Sequence, residues 1–188
     1  MIKFNFHRYE PSTCFSIVFL IFLTPIMLVA QSSDEHSYSR DTLISVAKNI
    51  IKSTRYCVLI TLDDSGHPQA RTMDPFTPEE DMTIWFGTNF KSRKVQEIRN
   101  DSRVTIYYEE PNGAGYVVVK GKAIIVDEQD KKEKYWKEEW ATFYPDQRST
   151  YTLIKVIPGE VELIDYNHGI KGDPETWAVP KVTFKSYK

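Results

Sequence analysis

Two hydroxyls and three cations crowd one short stretch of this 188-residue chain, Thr88-Asn89-Phe90-Lys91-Ser92-Arg93-Lys94. The apolar run before it, "IWFG", reads as a strand. "SRKVQEIRN" after it reads as a short helix with Val95 and Ile98 facing inward. A helix start exposes unpaired N–H groups and a partial positive charge, so acids rather than bases are favoured there. Arg93 and Lys94 fall in the first turn behind Ser92, a plausible N-cap, and oppose that field. A bound phosphate would remove the conflict. Arg71, on the neighbouring strand, could add a bidentate contact. The residues alone leave two readings open, a site for a phosphate-bearing ligand and a solvated basic turn.

Other chemistry is scarce. Rossmann and Walker glycine loops are absent, as is any zinc spacing. His67 reads as a surface residue of a turn, and the histidines lie far apart in the chain. Cys57 lies in the apolar run Tyr56-Cys57-Val58-Leu59-Ile60 and reads as a buried small side chain. A formal net charge of -2 gives no electrostatic case for nucleic acid. Trp85, Phe86, Tyr107, Tyr108, Trp136 and Trp140 read as core or interface residues, and the charges from Asp127 to Lys134 as a solvated helix face.

The elements that must hold the basic turn follow from periodicity. "SRDTLISVAKNIIKSTRY" has Leu43, Val46, Ala47, Ile50 and Ile51 on one helical face, with Ser39 or Asp41 as cap. "YCVLITLDD" and "HPQARTMDPF" form a hairpin across Asp64-Ser65-Gly66. "MTIWFGT", "SRVTIYYEE" and "YVVVKGKAIIV" are further strands, and Gly121 marks a bulge or a close backbone approach. "DEQDKKEKYWKEEWATFY" predicts one helix. "YTLIKVIPGEVELIDY" predicts a pair of strands around Pro158-Gly159, and the remaining tail is mostly irregular and wraps the body. Six or seven mainly antiparallel strands with short helices predict a mainly β (α+β) fold, a closed or nearly closed barrel.

The N-terminus reads differently. Lys3, His7 and Arg8 precede the uncharged run "CFSIVFLIFLTPIMLVA" over residues 14–30, and small Ala30 precedes a polar stretch. This is the layout of a secretory signal. It divides the chain into a signal over 1–30, a flexible lead over 31–40 and one domain over 41–188. The expectation is an exported protein without stable membrane association after cleavage. The alternative is an anchor over 14–30, a run slightly short for a span of about 20 residues.

"WFGTNFKSRKVQEIRNDSRVTIYYEE" followed by "VVVKGKAIIVD" resembles the flavin-binding core of the pyridoxamine 5'-phosphate oxidase-like proteins, in particular their short general stress protein 26-type members. The resemblance covers about residues 42–166. It implies a split β-barrel of the FMN-binding type, a homodimer, and FMN at the subunit interface. Arg71 in "ARTMDPF" matches the family arginine that reaches the FMN phosphate. Thr88, Ser92, Arg93 and Lys94 match the strand end and helix start that hold the phosphate and ribityl chain. Tyr116 falls near a position that faces the flavin of the other subunit.

Departures from the family pattern bear on activity. The true oxidases carry a substrate-binding lysine five residues after this arginine, where this chain has Phe76. Their tyrosine-arginine-serine substrate set has no counterpart near residues 135–150, and "ETWAVPKVTF" shares only a tryptophan with their C-terminal segment. The expectation is therefore a flavin-dependent oxidoreductase of undefined small-molecule substrate that is not an oxidase of pyridoxamine 5'-phosphate. Its alternative is a non-catalytic protein that stores or senses a ring cofactor. Deazaflavin and haem are the alternative ligands.

Overall fold

Strand alternation and one amphipathic helix build the body of the protein. The computed structural model describes residues 38–144, 146 and 150–185. The expected signal over 1–30 and most of the expected lead over 31–40 lie outside the described residues. Helix α1, Arg40–Ser53, buries Leu43, Val46, Ala47, Ile50 and Ile51, the face that periodicity predicts. The Ser39 hydroxyl accepts from Thr42 N–H at 3.1 Å, and Asp41 and Lys52 sit at the ends that the helix dipole favours. Tyr38 OH donates to Gly169 O at 2.8 Å. Residues 38–40, at the end of the expected lead, thus belong to the folded body.

Strands β1 (Cys57–Leu62) and β2 (Pro68–Met73) form the expected hairpin. Its turn carries Gly66 at φ 78°, where a side chain would be strained. The Asp63 carboxylate gathers the N–H groups of Ser65 and His67, each at 2.9 Å. Strand β3 (Ile84–Asn89) leads into α2 (Arg93–Asn100), which buries Val95 and Ile98. Strands β4 (Arg103–Glu109) and β5 (Gly115–Val126) pair next, followed by α3 (Gln129–Lys134), β6 (Tyr151–Asp165) and β7 (Lys181–Thr183).

The sheet order is β2-β1-β4-β5-β6-β3, with β7 also on β6, and each of these pairings is antiparallel. A bridge between Pro75 and Phe86 joins the chain beyond β2 to β3, with Phe76 N–H on Trp85 O at 2.9 Å. The two ends of the sheet are thereby brought together, and the strands enclose one interior. Leu59, Phe86, Ile106, Tyr108, Val119 and Leu163 fill that interior, and α1 covers part of it.

Two expectations need correction. Pro158-Gly159 is not a turn. Strand β6 runs unbroken from Tyr151 to Asp165, and the register against β5 steps from Lys120↔Glu160 to Gly121↔Pro158. Proline has no N–H to give a ladder, so it is tolerated where the ladder is interrupted. Gly121 faces this bulge, and a Cβ there would stand 2.4 Å from Ile157 O.

The long helix expected from Asp127 is also broken. After α3 the chain turns through Tyr135–Lys137 and re-forms only a 3₁₀ segment, Glu138–Thr142. Tertiary contacts override propensity here. Tyr135 stacks on Trp85 at 4.5 Å and its hydroxyl donates to Glu79 at 2.6 Å. Lys137 pairs with Asp74 at 2.7 Å. Trp85, Tyr135, Tyr151 and Leu153 form a second buried cluster, flanked by Phe76, Trp136, Trp140 and Tyr144. The tail is mostly irregular, as expected, but contributes β7.

Candidate functional site

Three elements converge at the start of α2. Strand β3 ends at Asn89, whose carbonyl accepts from Ser92 N–H at 2.9 Å and whose side chain accepts from Lys91 N–H at 2.9 Å. This tight turn fixes where α2 begins. Ser92 holds the N-cap position in extended backbone, yet its hydroxyl does not cap the helix, and no acidic residue occupies the first turn. The Ser92 hydroxyl instead lies 3.4 Å from Thr88 Oγ1, and Thr88 is buried. Lys94 Nζ donates to the same Thr88 oxygen at 3.0 Å. The proton affinity of Lys94 is lowered, first by burial and then by the Arg71 charge; Glu97 opposes this, and Arg93 adds to it. A half-buried ammonium held among other cations favours an incoming anion.

Arg71 reaches this region from β2, where it stands opposite Leu59. Its guanidinium donates to the Thr61 hydroxyl and to Leu59 O at 3.5 Å, and it meets Glu97 Oε2 at 2.7 Å. Five N–H donors are available on a guanidinium, so these contacts leave some free. Arg93 reaches Glu97 from the preceding turn, with Nε 2.9 Å from Oε1. The structure thus brings Arg71, Thr88, Ser92, Arg93 and Lys94 into one linked cluster. It does not bring Tyr116 there. Tyr116 lies on the outer face of β5, stacked on Tyr107 at 5.9 Å, and lines a separate cavity of about 570 Å3 with Tyr166 and Trp177.

Sequence reasoning missed Thr61 and Glu97. Both are buried, and both touch Arg71. The available signal was the place of Glu97 on α2, next to inward-facing Ile98 and four residues after Arg93. The cluster sets three cations against that one carboxylate, an excess of positive charge beside an uncapped helix start. Such an arrangement holds a phosphate well.

Phe76 occupies a different environment. Its ring meets Tyr135 and Trp140 edge-on at 5.1 and 5.6 Å, and Lys137 Nζ stands 4.9 Å above it. Aromatic packing fills the position. A second cavity of about 470 Å3 adjoins it, lined among others by Arg55, Asp74, Phe76 and Lys137. Cys57 is buried as expected, and burial pushes its thiol up to about 12, so it stays protonated and unreactive. His67 is exposed in its turn, whereas His168 Nδ1 lies 2.6 Å from the buried carboxylate of Asp165.

Known proteins share this arrangement of elements. The model of the pyridoxamine 5'-phosphate oxidase like family matches residues 43–171. General stress protein 26 of Bacillus subtilis is 28% identical over 104 residues, covering 53% of this chain and 73% of that protein. The crystal structure of General Stress Protein 26 from Bacillus anthracis superposes with a TM-score of 0.57 at 27% identity, over 65% of this chain and 93% of that one. A pyridoxamine 5'-phosphate oxidase-related, FMN binding protein from Nostoc punctiforme gives a TM-score of 0.57 at 17% identity, over 79% of this chain and 98% of that one, a likeness of fold. The basic cluster on α2, like almost the whole sheet, lies within the matched residues, and the chain belongs to the pyridoxamine 5'-phosphate oxidase-like family of split β-barrels.

Proposed function

We propose that this chain binds FMN, with the phosphate at the start of α2, and that it works as a homodimer in flavin-dependent oxidation or reduction of a small molecule. One observation carries the reading: Arg93 and Lys94 stand in the first turn of a helix that has neither a side-chain cap nor an acid there, and Arg71 reaches the same helix at Glu97. Lys94 and the first-turn N–H groups would take the phosphate, with Arg93 and Arg71 at its flanks and Thr88 and Ser92 as hydroxyl partners. When bound, the isoalloxazine supplies the redox chemistry. The chain's own contribution would be to anchor the ligand by its phosphate through Lys94, Arg93, Arg71, Thr88 and Ser92.

The outer face of the sheet supports the dimer. Val58, Ile60, Tyr107, Tyr116 and Val118 point outward and form a mostly apolar surface across β1, β4 and β5. Such a surface suits a second copy. The aromatic cavity at Tyr116 and the basic cluster do not share lining residues, so pairing two copies is one way for both to serve one ligand. Tyr116 would then face the partner's flavin. Oxidation of pyridoxamine 5'-phosphate is not part of the reading, since Phe76 is committed to packing with Tyr135 and Trp140. Export through residues 1–30 belongs to the proposal as well.

The test is extraction of the ligand from purified protein, its identification by mass spectrometry, and turnover with a reduced nicotinamide and an electron acceptor. FMN with turnover supports the reading. FMN without turnover replaces the enzyme by a storage or sensing protein. A deazaflavin or haem overturns the ligand.

A further inference from the structure

Glu97 lies in the middle of α2 and is only 4% exposed. Its Oε2 takes Arg71 Nη2 at 2.7 Å and the Thr61 hydroxyl at 2.5 Å. Its Oε1 lies 2.9 Å from Arg93 Nε, but off the hydrogen-bonding direction, so this buried oxygen has no aligned donor. A buried carboxylate survives only when cations compensate it. Here the two arginines do so with unequal freedom. The Arg71 side chain is 16% exposed and tied to three acceptors. The Arg93 side chain is 71% exposed and holds Glu97 through one misaligned pair. Arg93 is therefore the partner that can leave.

We propose that Glu97 is the resident counter-ion of the basic cluster: it compensates Arg71 and Arg93 while no ligand is bound, and it competes with an incoming phosphate monoester for Arg93. Glu97 thereby limits how tightly the anion is held and hastens its release. The inference rests on the reading that a phosphate-bearing ligand binds at α2. Its charge balance is simple. Three cations against Glu97 leave an excess of two, the charge a phosphomonoester carries above its second ionisation at about pH 6. Without Glu97 the cations repel one another in the empty protein, and nothing repels the ligand. The reach of Glu97 across the cluster shows at Lys94, whose lowered proton affinity it opposes.

Glu97→Gln tests this, because the amide keeps the shape and can still accept from Arg71 and Thr61. FMN should bind on the order of ten-fold more tightly, mainly through slower release, since a like charge near the phosphate is gone. Riboflavin, which has no phosphate, should change by less than about two-fold. The ligand-free variant should melt lower than wild type, and inorganic phosphate should recover more of the loss than it adds to wild type. Equal or weaker FMN binding overturns the proposal and makes Glu97 a residue that positions Arg71 for the ligand. Should the variant fail to fold, the wild-type protein still decides. The Arg93 Nε–H resonance, assigned with Arg93→Lys, should shift on adding FMN, and an unmoved resonance overturns the proposal. If neither protein binds FMN in preference to riboflavin, the phosphate reading falls together with this one. If wild type has that preference and Glu97→Gln binds no tighter, only the role of Glu97 falls.

Discussion

Replacing Lys94 by Ala removes one cation from the start of α2 and leaves the buried pair of Arg71 and Glu97 in place. It is a cleaner change than Arg71→Ala, which would strand Glu97 with a buried charge. Lys94 Nζ is anchored by Thr88 Oγ1 at 3.0 Å and needs little ordering to meet an anion. Loss of one charge-assisted contact costs roughly 1.5–3 kcal/mol, about ten- to a hundred-fold in FMN affinity. Riboflavin should be nearly unaffected. The ligand-free protein should not suffer in the same proportion, because Lys94 is repelled by Arg71 and Arg93 and faces the positive end of α2.

The sign of the pH dependence follows from the same cluster. The folded protein holds the Lys94 proton less tightly than the unfolded chain. Charged Lys94 therefore costs stability at neutral pH, and that cost disappears as pH rises through its lowered folded value toward 10.5, its unfolded value. FMN affinity should fall over the same window in wild type and not in Lys94→Ala. Isothermal titration of both flavins against both proteins, at neutral and alkaline pH, measures all of this. Equal weakening of FMN and riboflavin would refute a phosphate site, and no weakening of either would leave the turn a solvated one.

Three further outcomes are expected. Pyridoxamine 5'-phosphate should be oxidised poorly or not at all in a coupled oxygen assay, because Phe76 packs against aromatic rings where the oxidases carry a lysine; efficient oxidation would mean that this departure has been misjudged. Lys181 and Lys120 hold the Glu160 carboxylate at about 2, so its contribution is present above about 4.5 and is lost as pH falls through about 2. Glu160→Gln should remove part of the stability decline over that window in acid melts, and an unchanged acid limb would show that the pairs contribute nothing. Gly121→Ala places a Cβ 2.4 Å from the Ile157 carbonyl and should cost about 1–3 kcal/mol in urea melts, whereas a neutral result would mean the bulge yields freely.

Much of the architecture is readable from local pattern. α1 and α2 bury the residues that a 3.6-residue period selects, and β1, β4 and β5 alternate along their length. What local pattern misses are the places where distant residues decide. The region after Asp127 has helical composition, but Glu79, Trp85 and Asp74 draw Tyr135 and Lys137 out of it. Pro158-Gly159 has turn composition, yet β5 pairs on both sides of it and makes it a bulge. The candidate site divides the same way. Thr88, Ser92, Arg93 and Lys94 are neighbours in sequence, and their conflict with the helix dipole is visible there. Glu97 offers only its place beside Ile98 as a signal, and its role depends on the β1–β2 hairpin carrying Arg71 and Thr61 against it from 26 and 36 residues away.

The most direct test of the account is a crystal structure of the protein grown with FMN. The account predicts two copies related by a two-fold axis, with the phosphate within hydrogen-bonding distance of Lys94 Nζ and the first-turn N–H groups of α2. It also predicts that the ring lies against Tyr116 of the second copy. A phosphate bound away from α2, or a flavin held wholly within one copy, would contradict it.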